Sequence, residues 1–315
     1  MSRNINTQQY ADGKVTVVLS TYNGSKYLEE LLESLLNQTW RIDEVLISDD
    51  CSTDNTTEII ERFILKHDLT TWIFEKNEEN KGWKRNFKDL FSRAKHEYIF
   101  PCDQDDIWNN DKIESMISIM KDNRDILLLV SDYTPFGEYK TKEIDSGAKE
   151  DVCKADFNNF LKIIRPGCVF CFRKELSVYL DEYAFDEYPH DAFIWRTACM
   201  LDGLYFYNKS TIKYRRHAET ATGREKKSAM KKLNAIDYYE KVLDSAELFL
   251  KNVANNDFDK QKDIQRYREW LYLRKNLISQ KKICSWVKLF KYFDCYYSVK
   301  MYLGDLIFAI KRKSQ

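Results

Sequence analysis

No stretch of the 315 residues stays apolar for the ~18 positions that a membrane-spanning helix requires, so no transmembrane segment is expected. The polar residues 1–14 lack the apolar core of a secretory leader, which points to a cytoplasmic protein. Two glycine fingerprints are also missing. No G-x-G-x-x-G follows the first strand-like run, which argues against NAD or FAD, and the absence of G-x-x-x-x-G-K-[ST] argues against a P-loop NTPase. The eight cysteines are scattered, and the close pair Cys168 and Cys171 (CVFC) sits inside an apolar strand-like run. Packed thiols in a reducing compartment are expected there ahead of zinc or redox chemistry. Lys and Arg total 50 against 50 Asp and Glu, and no nucleic-acid reader motif accompanies them, which excludes nucleic acid as a partner.

What is present is unevenly distributed. Residues 224–315 carry 21 Lys and Arg against 11 Asp and Glu, leaving 29 against 39 in residues 1–223. The acidic part holds the most informative stretch, Asp103-Gln104-Asp105-Asp106-Ile107-Trp108, directly after the apolar run YIFPC. Three carboxylates within four residues at the end of a buried strand raise one another's pKa and resist desolvation unless a cation sits among them. Oxygen ligands suit magnesium or manganese, which keep positions open for water and substrate phosphates. The alternative is a helix N-terminus, where Asp is favoured by capping and the helix dipole.

The first third of the chain alternates strand and helix patterns. Residues 15–20 (VTVVLS) read as a buried strand ending in the turn Thr21-Tyr22-Asn23-Gly24. Ser25 is a candidate N-cap, and Leu28, Leu31, Leu32, Leu35 and Leu36 line one helix face. A second strand at 44–48 ends at Asp49-Asp50, and a helix carrying Ile59, Ile60, Phe63 and Ile64 follows. A third strand at 71–74, a helix at 86–94 and a fourth strand at 98–102 complete the series. This order predicts an α/β fold with a mostly parallel, doubly wound sheet, in which ligands lie outside the carboxyl ends of the strands. Thr21 to Asn23, Asp49 and Asp50, and Asp103 to Asp106 all fall at such ends, which favours a site over capping. Acids at neighbouring strand ends suit a two-part ligand. One carboxylate accepts hydrogen bonds from a base or ribose, while another group holds a cation on a diphosphate. A nucleoside diphosphate attached to a sugar has both parts. Lys81, Lys84 and Arg85 in NKGWKRN either add phosphate or base contacts or form a solvated basic loop.

The ordered segments VTVVLSTYNGSKYLEELLESLLNQT, DEVLISDDCSTDNT, NKGWKRN and YIFPCDQDDIW resemble the family 2 glycosyltransferases. The likeness continues in GCVFCFRKEL (167–176), HDAF (190–193) and YRRHAETATG (214–223). It implies a GT-A fold, Rossmann-like, with nucleotide-sugar donors and inversion at the anomeric carbon. A catalytic domain over 1–223 follows, with a nucleotide-sugar half at about 14–110 and an acceptor half at about 111–223, ahead of a helical, basic region over 224–315. The DQDDIW form looks most like bacterial enzymes of surface-polysaccharide synthesis, with a saccharide or undecaprenyl-linked acceptor and manganese or magnesium as cofactor.

Residue by residue, the resemblance places Thr21, Tyr22 and Asn23 around base and ribose and either Asp49 or Asp50 on the base. It puts Asp105 on the metal, Asp103 on the ribose or on the metal and its water, and Asp106 beside them or on the sugar. Arg215, Arg216 and His217 match a late basic motif reaching the diphosphate, and Asp191 matches the catalytic base. His190 stands where the family most often has an acid. Asp186 and Glu187 are rival bases, and Pro189 is expected to start the helix that carries Asp191.

Beyond residue 223 helical periodicity covers 225–252 and 264–280, with a polar break at 252–259. Residues 283–293 then interleave Trp, Phe and Tyr with Lys. Such a segment suits peripheral membrane contact, here assigned to 283–313 at the inner face of the plasma membrane, or else packs on the catalytic domain or a second subunit. Two other functions fit the acids. A sugar-phosphate nucleotidyltransferase needs a Gly-rich basic loop after the first strand, which STYNGSKY does not supply, and a non-catalytic relative has no need of the full acidic cluster.

Overall fold

The computed structural model describes residues 13–138, 151–217, 228–254, 257–280 and 282–311. The chain divides into two compact units, Met1–Asp156 with Ile163–Ala221, and Phe157–Lys162 with Thr222–Gln315.

The first unit opens with β1 (Val15–Thr21), α1 (Leu28–Leu36), β2 (Glu44–Asp49), α2 (Thr56–Lys66), β3 (Trp72–Lys76), α3 (Trp83–Arg93) and β4 (Tyr98–Cys102). Every residue of β2 and β4 is buried, as expected for parallel strands covered on both faces. β1 pairs in parallel with both β2 and β4, and β2 with β3. The strand order 3-2-1-4 therefore reverses between β1 and β4 and opens a crevice at their carboxyl ends. Two local expectations change. Ser25 does not cap α1, which begins three residues later; its amide instead donates to Asp54 Oδ2 at 3.1 Å and pins the turn. α3 begins at Trp83 rather than 86, because Gly82, at φ 80°, makes the break directly before it.

There follow β5 (Ile107–Trp108), α4 (Lys112–Asp122), β6 (Leu128–Gly137), β7 (Val152–Lys154), β8 (Phe170–Arg173), α5 (Leu180–Tyr183), α6 (His190–Met200) and β9 (Leu204–Arg216). β8 runs antiparallel between β4 and β6, β9 is parallel to β6, and β5 and β7 lie antiparallel on β9. Strands β1, β2, β3, β4, β6 and β9 thus share one direction, and the sheet is mostly parallel. The acidic cluster leads into the short strand β5, and α4 starts only at Lys112, so capping does not explain those acids. Pairing of Ile107 with Lys213 and of Trp108 with Ile212 lays the end of β9 beside the acids. Cys168 and Cys171 are buried free thiols whose pKa burial pushes up, which leaves them protonated and inert.

The second unit is helical: α7 (Ala229–Asn252), α8 (Phe258–Gln280), α9 (Ile283–Leu289) and α10 (Val299–Lys311). Ser228 caps α7, its hydroxyl accepting from the Lys231 amide at 3.1 Å. Residues 225–227, where periodicity first suggested helix, lie outside the described residues. Ile236, Leu243 and Phe249 on α7 and Ile264, Trp270 and Leu277 on α8 supply much of its core. Residues 157–162 join this unit although no sequence signal set them apart. Phe160 stacks on Tyr267, and the Tyr297 hydroxyl donates to the Leu161 carbonyl. Among the described residues no helix is long and apolar enough to cross a membrane.

Candidate active site

The three strand-end segments meet, and short polar side chains hold them together. Asn23 sits at φ 48°, accepts the Thr53 amide on its own Oδ1 at 2.9 Å and donates its backbone amide to Ser52 Oγ at 2.8 Å. Such Asx contacts offset the strain of a left-handed residue. Gln104 clamps this turn to the acidic loop, accepting the Tyr22 amide at 2.8 Å and donating to the Tyr22 carbonyl at 3.0 Å. A Cβ on Gly24 would lie 2.4 Å from Gln104 Oε1, so only glycine lets the amide in. Tyr22 remains 47% exposed at the rim.

Asp49 and Asp50 are both buried, and each organises a different loop. Asp49 accepts from Thr21 Oγ1 at 2.9 Å, from the Ser52 amide at 2.8 Å and from Ser52 Oγ at 2.5 Å. Asp50 accepts the amides of Lys81 and Gly82 at 2.8 Å and Asn77 Nδ2 at 3.1 Å, which shapes the turn before α3. Lys84 donates to the Glu187 carbonyl at 2.9 Å, and Arg85 pairs with exposed Asp186 at 3.5 Å. Lys84 and Arg85 therefore hold the segment leading into α6, where Asp186 is engaged too, while Lys81 pairs with Asp89 of α3 at 3.4 Å.

In the acidic loop Asp106 is buried while Asp103 and Asp105 are half-buried, and the crowding shows on Asp103 and Asp106. Burial, followed by the charge of Asp105, pushes Asp103 up to about 7. Asp106 is fully buried and lies well above the usual carboxylate range, through burial first and then the charges of Asp103 and Asp105. Its Oδ1 accepts the Arg215 amide at 2.8 Å, while Oδ2 is buried with no hydrogen-bond partner among the described residues. Arg215 also donates to the Asp105 carbonyl at 2.7 Å and lies over the rings of Tyr27 and Phe136, so it anchors the loop. His217 Nε2 sits 2.7 Å from Asp105 Oδ2. Arg216 lies over Tyr214 and keeps a buried Nε without a partner among the described residues. Residues 218–223, the rest of the late basic motif, lie outside the described residues.

Asp191 lies in the first turn of α6 with Pro189 as the N-cap residue, and its charge acts on Asp103. A Cβ on Gly167 would come within 3.0 Å of the Asp191 Cβ, so the glycine of the GCVF turn admits the helix end. His190 is stacked on Phe87 at 4.1 Å with Trp83 and Phe91 edge-on, and burial pushes it down to about 4. An acid would be costly in that aromatic cage, which accounts for a neutral imidazole at the position.

Residues 16–179 match the family model Glycosyl transferase family 2. The chain belongs to this family. The dTDP-rhamnosyl transferase RfbG of Shigella flexneri is 30% identical to it over 220 residues, 65% of this chain and 73% of RfbG. The poly(ribitol-phosphate) beta-N-acetylglucosaminyltransferase TarS of Staphylococcus aureus is 33% identical over 119 residues, 37% of this chain but only 20% of TarS. TarS residues 1–349 in complex with UDP-GlcNAc superpose with a TM-score of 0.61 at 19% identity, covering 94% of this chain and 81% of that one. The mannosyltransferase PcManGT of Pyrobaculum calidifontis, in complex with GDP-Man and Mn2+, gives 0.55 at 17% identity, covering 94% and 84%. These likenesses establish the GT-A fold.

Three polar residues of this glycosyltransferase gave no signal in the sequence. Gln104 is the clamp described above. Asn86 is fully buried and ties Ser20 to Ser48 with bonds of 2.6 to 2.9 Å. Lys112 is fully buried beneath the acids, donates to the Cys168 carbonyl at 2.5 Å and lies 3.7 Å from the Trp108 ring centre. Burial pulls it down to about 8. An Asn or Lys in the first turn of a helix is ordinary, so only the absence of an exposed face could have marked them.

Proposed function

We propose that the chain is a metal-dependent, inverting glycosyltransferase. It transfers a sugar from a nucleoside diphosphate donor to a hydroxyl of a saccharide acceptor, lipid-linked or free, in bacterial surface-polysaccharide synthesis. One observation carries this reading: Asp103, Asp105 and Asp106 crowd carboxylates at a sheet switch point, where Lys112 and His217 do not keep Asp103 and Asp106 from being pushed up, and Asp191 adds its charge to Asp103. Asp103, Asp106 and Cys168 bring potential ligand atoms within 4.8 Å of one another, but the Cys168 thiol is held protonated by burial. A hard divalent cation fits the carboxylate oxygens of Asp103 and Asp106. Asp105, the metal ligand that the family resemblance implies, lies outside that set with its Oδ2 2.7 Å from His217 Nε2, and would join Asp103 on the ion by leaving that contact. Bound there, manganese or magnesium would offset charge on the leaving diphosphate.

The chain's own residues do the rest. Thr21, Tyr22 and Asn23 receive the base and ribose, and the base also reaches the Asp49–Asp50 strand end. The Arg216 guanidinium, whose Nε–H has no partner among the described residues, would donate to an anion such as a diphosphate. Lys84 and Arg85 shape the donor side through the 186–187 segment, and Asp106 holds the loop against Arg215. In a single displacement the acceptor oxygen bonds to the anomeric carbon as its bond to the diphosphate oxygen breaks. Asp191 takes the acceptor hydroxyl's proton. The nucleoside diphosphate leaves with the electron pair.

The test is a panel of dTDP-, UDP- and GDP-sugars with manganese, read by release of free nucleoside diphosphate. Release of pyrophosphate from sugar phosphate and nucleoside triphosphate would instead identify a nucleotidyltransferase. Asp105→Asn should abolish turnover and the manganese-dependent part of nucleotide binding while leaving the melting temperature within a few degrees. Full turnover in excess chelator overturns the metal assignment.

A further inference from the structure

The helical unit presents two apolar stripes that its own core does not use. On α9 and the turn after it, Ile283, Val287 and Phe290 are 53%, 66% and 70% exposed, at helical spacing. On α10, Val299, Leu303, Ile307 and Ile310 form a second stripe, each between 45% and 57% exposed. Ser285 and Leu289 on α9 and Tyr302, Asp305 and Ala309 on α10 face inward instead, so both helices have a settled inner side and an apolar outer one. Val287 and Phe290 join Tyr272 and Leu273 of α8 in lining an open depression of about 550 Å³, with Lys288, Lys291 and one acid, Glu269, also in its lining.

Among the described residues the exposed charge around these stripes is mostly basic. Lys282, Lys288, Lys291 and Lys300 are exposed. The acids nearby are already engaged. Asp294 pairs with Arg266 at 2.5 Å, Glu269 accepts the Tyr292 hydroxyl at 2.5 Å, and Asp305 is fully buried between Arg274 and Lys232. A second copy of the chain would bring lysines against lysines, whereas an anionic lipid surface offers both complements. Acyl chains take the stripes, and headgroup phosphates take the ammonium groups. The aromatic rings Phe290, Phe293 and Tyr297, 70%, 37% and 43% exposed, are the types that settle at a bilayer interface. No helix among the described residues can span that bilayer, so contact is lateral.

We propose that this face of the helical unit, centred on Val287, Lys288, Phe290 and Lys291, docks on membranes rich in anionic phospholipid. The proposal stands on the helical unit alone and does not depend on the transferase chemistry. The experiment is flotation of the full chain with neutral phosphatidylcholine vesicles and with vesicles containing about a third phosphatidylglycerol. Binding is expected only to the anionic vesicles, and it should weaken in high salt. The pair Lys288→Gln and Lys291→Gln should weaken it roughly 30-fold, about fivefold per lysine. Val287→Ser with Phe290→Ser should reduce it at least tenfold. All four side chains are exposed, and an unchanged melting temperature certifies the fold. Equal recovery with neutral and anionic vesicles, or undiminished binding in both double variants, overturns the proposal. So does a dimer that Phe290→Ser dissolves without any effect on flotation.

Discussion

Asp305 in the helical unit and Asp106 in the sheet unit are both completely buried, yet their surroundings treat charge in opposite ways. Asp305 meets Arg274 at 2.7 Å, Lys232, and the Tyr296 hydroxyl at 3.2 Å. Burial would raise its pKa, but the two cations and their hydrogen bonds hold it below the ordinary value. Asp106 meets a backbone amide and two other acids, and although buried Lys112 also feels its charge, burial and repulsion win and its pKa moves the other way. A buried carboxylate with its counter-charges in place belongs to the architecture. A buried set left repelling one another belongs to a ligand that supplies the missing charge.

The contrast is broken most severely at Asp191. If the sheet-unit acids are chemical rather than architectural, Asp191→Asn should cut turnover by about two to four orders of magnitude while leaving donor affinity and melting temperature nearly unchanged. Asp186→Asn and Glu187→Gln should be milder, since Asp186 is exposed and already paired with Arg85. A variant that loses stability instead of turnover would place Asp191 in the same class as Asp305.

The helical unit gives the converse prediction. Arg274→Met should destabilise the protein by about 3–5 kcal/mol, because it strips a buried carboxylate of its principal partner. Adding Asp305→Leu should recover a large part of that loss in denaturant unfolding. If the double variant is worse than the single one, Asp305 serves something other than the ion pair.

The smallest effect concerns His190, whose aromatic cage holds it neutral down to about pH 4 while the unfolded chain takes up a proton near 6.5. The unfolded state then binds more protons through that window. Stability should therefore fall as pH drops from about 6.5 to about 4, by at most ~3 kcal/mol from this residue. His190→Phe keeps the packing with Phe87 and Trp83 and should flatten that slope in thermal unfolding at pH 5 and 7.5. An unchanged slope assigns the acid sensitivity to other groups.

Legibility differed along the chain for physical reasons. β1, β2 and β4 were readable because strands buried on both faces are built around continuous apolar runs, and α1 because its leucines recur on one face. The pairing of β6 with β9 joins residues 128–137 to 204–216 and leaves no local trace. The same holds for residues 157–162, which belong to the helical unit because Phe160 finds Tyr267 there. Within the site, the acids announced themselves through the cost of crowding charge. Gln104, Asn86 and Lys112 did not, because each is an unremarkable residue until its side chain is enclosed.

By itself, the order of residues determined the alternating sheet unit, its family and the acids at the strand ends, since hydrophobic period and clustered charge are local properties. Tertiary structure alone decided that Asp49 and Asp50 shape separate loops, that His217 reaches Asp105, and that Lys112 lies beneath the acids. Those relations join residues up to 112 positions apart, and only the closing of the sheet brings their atoms within hydrogen-bonding distance.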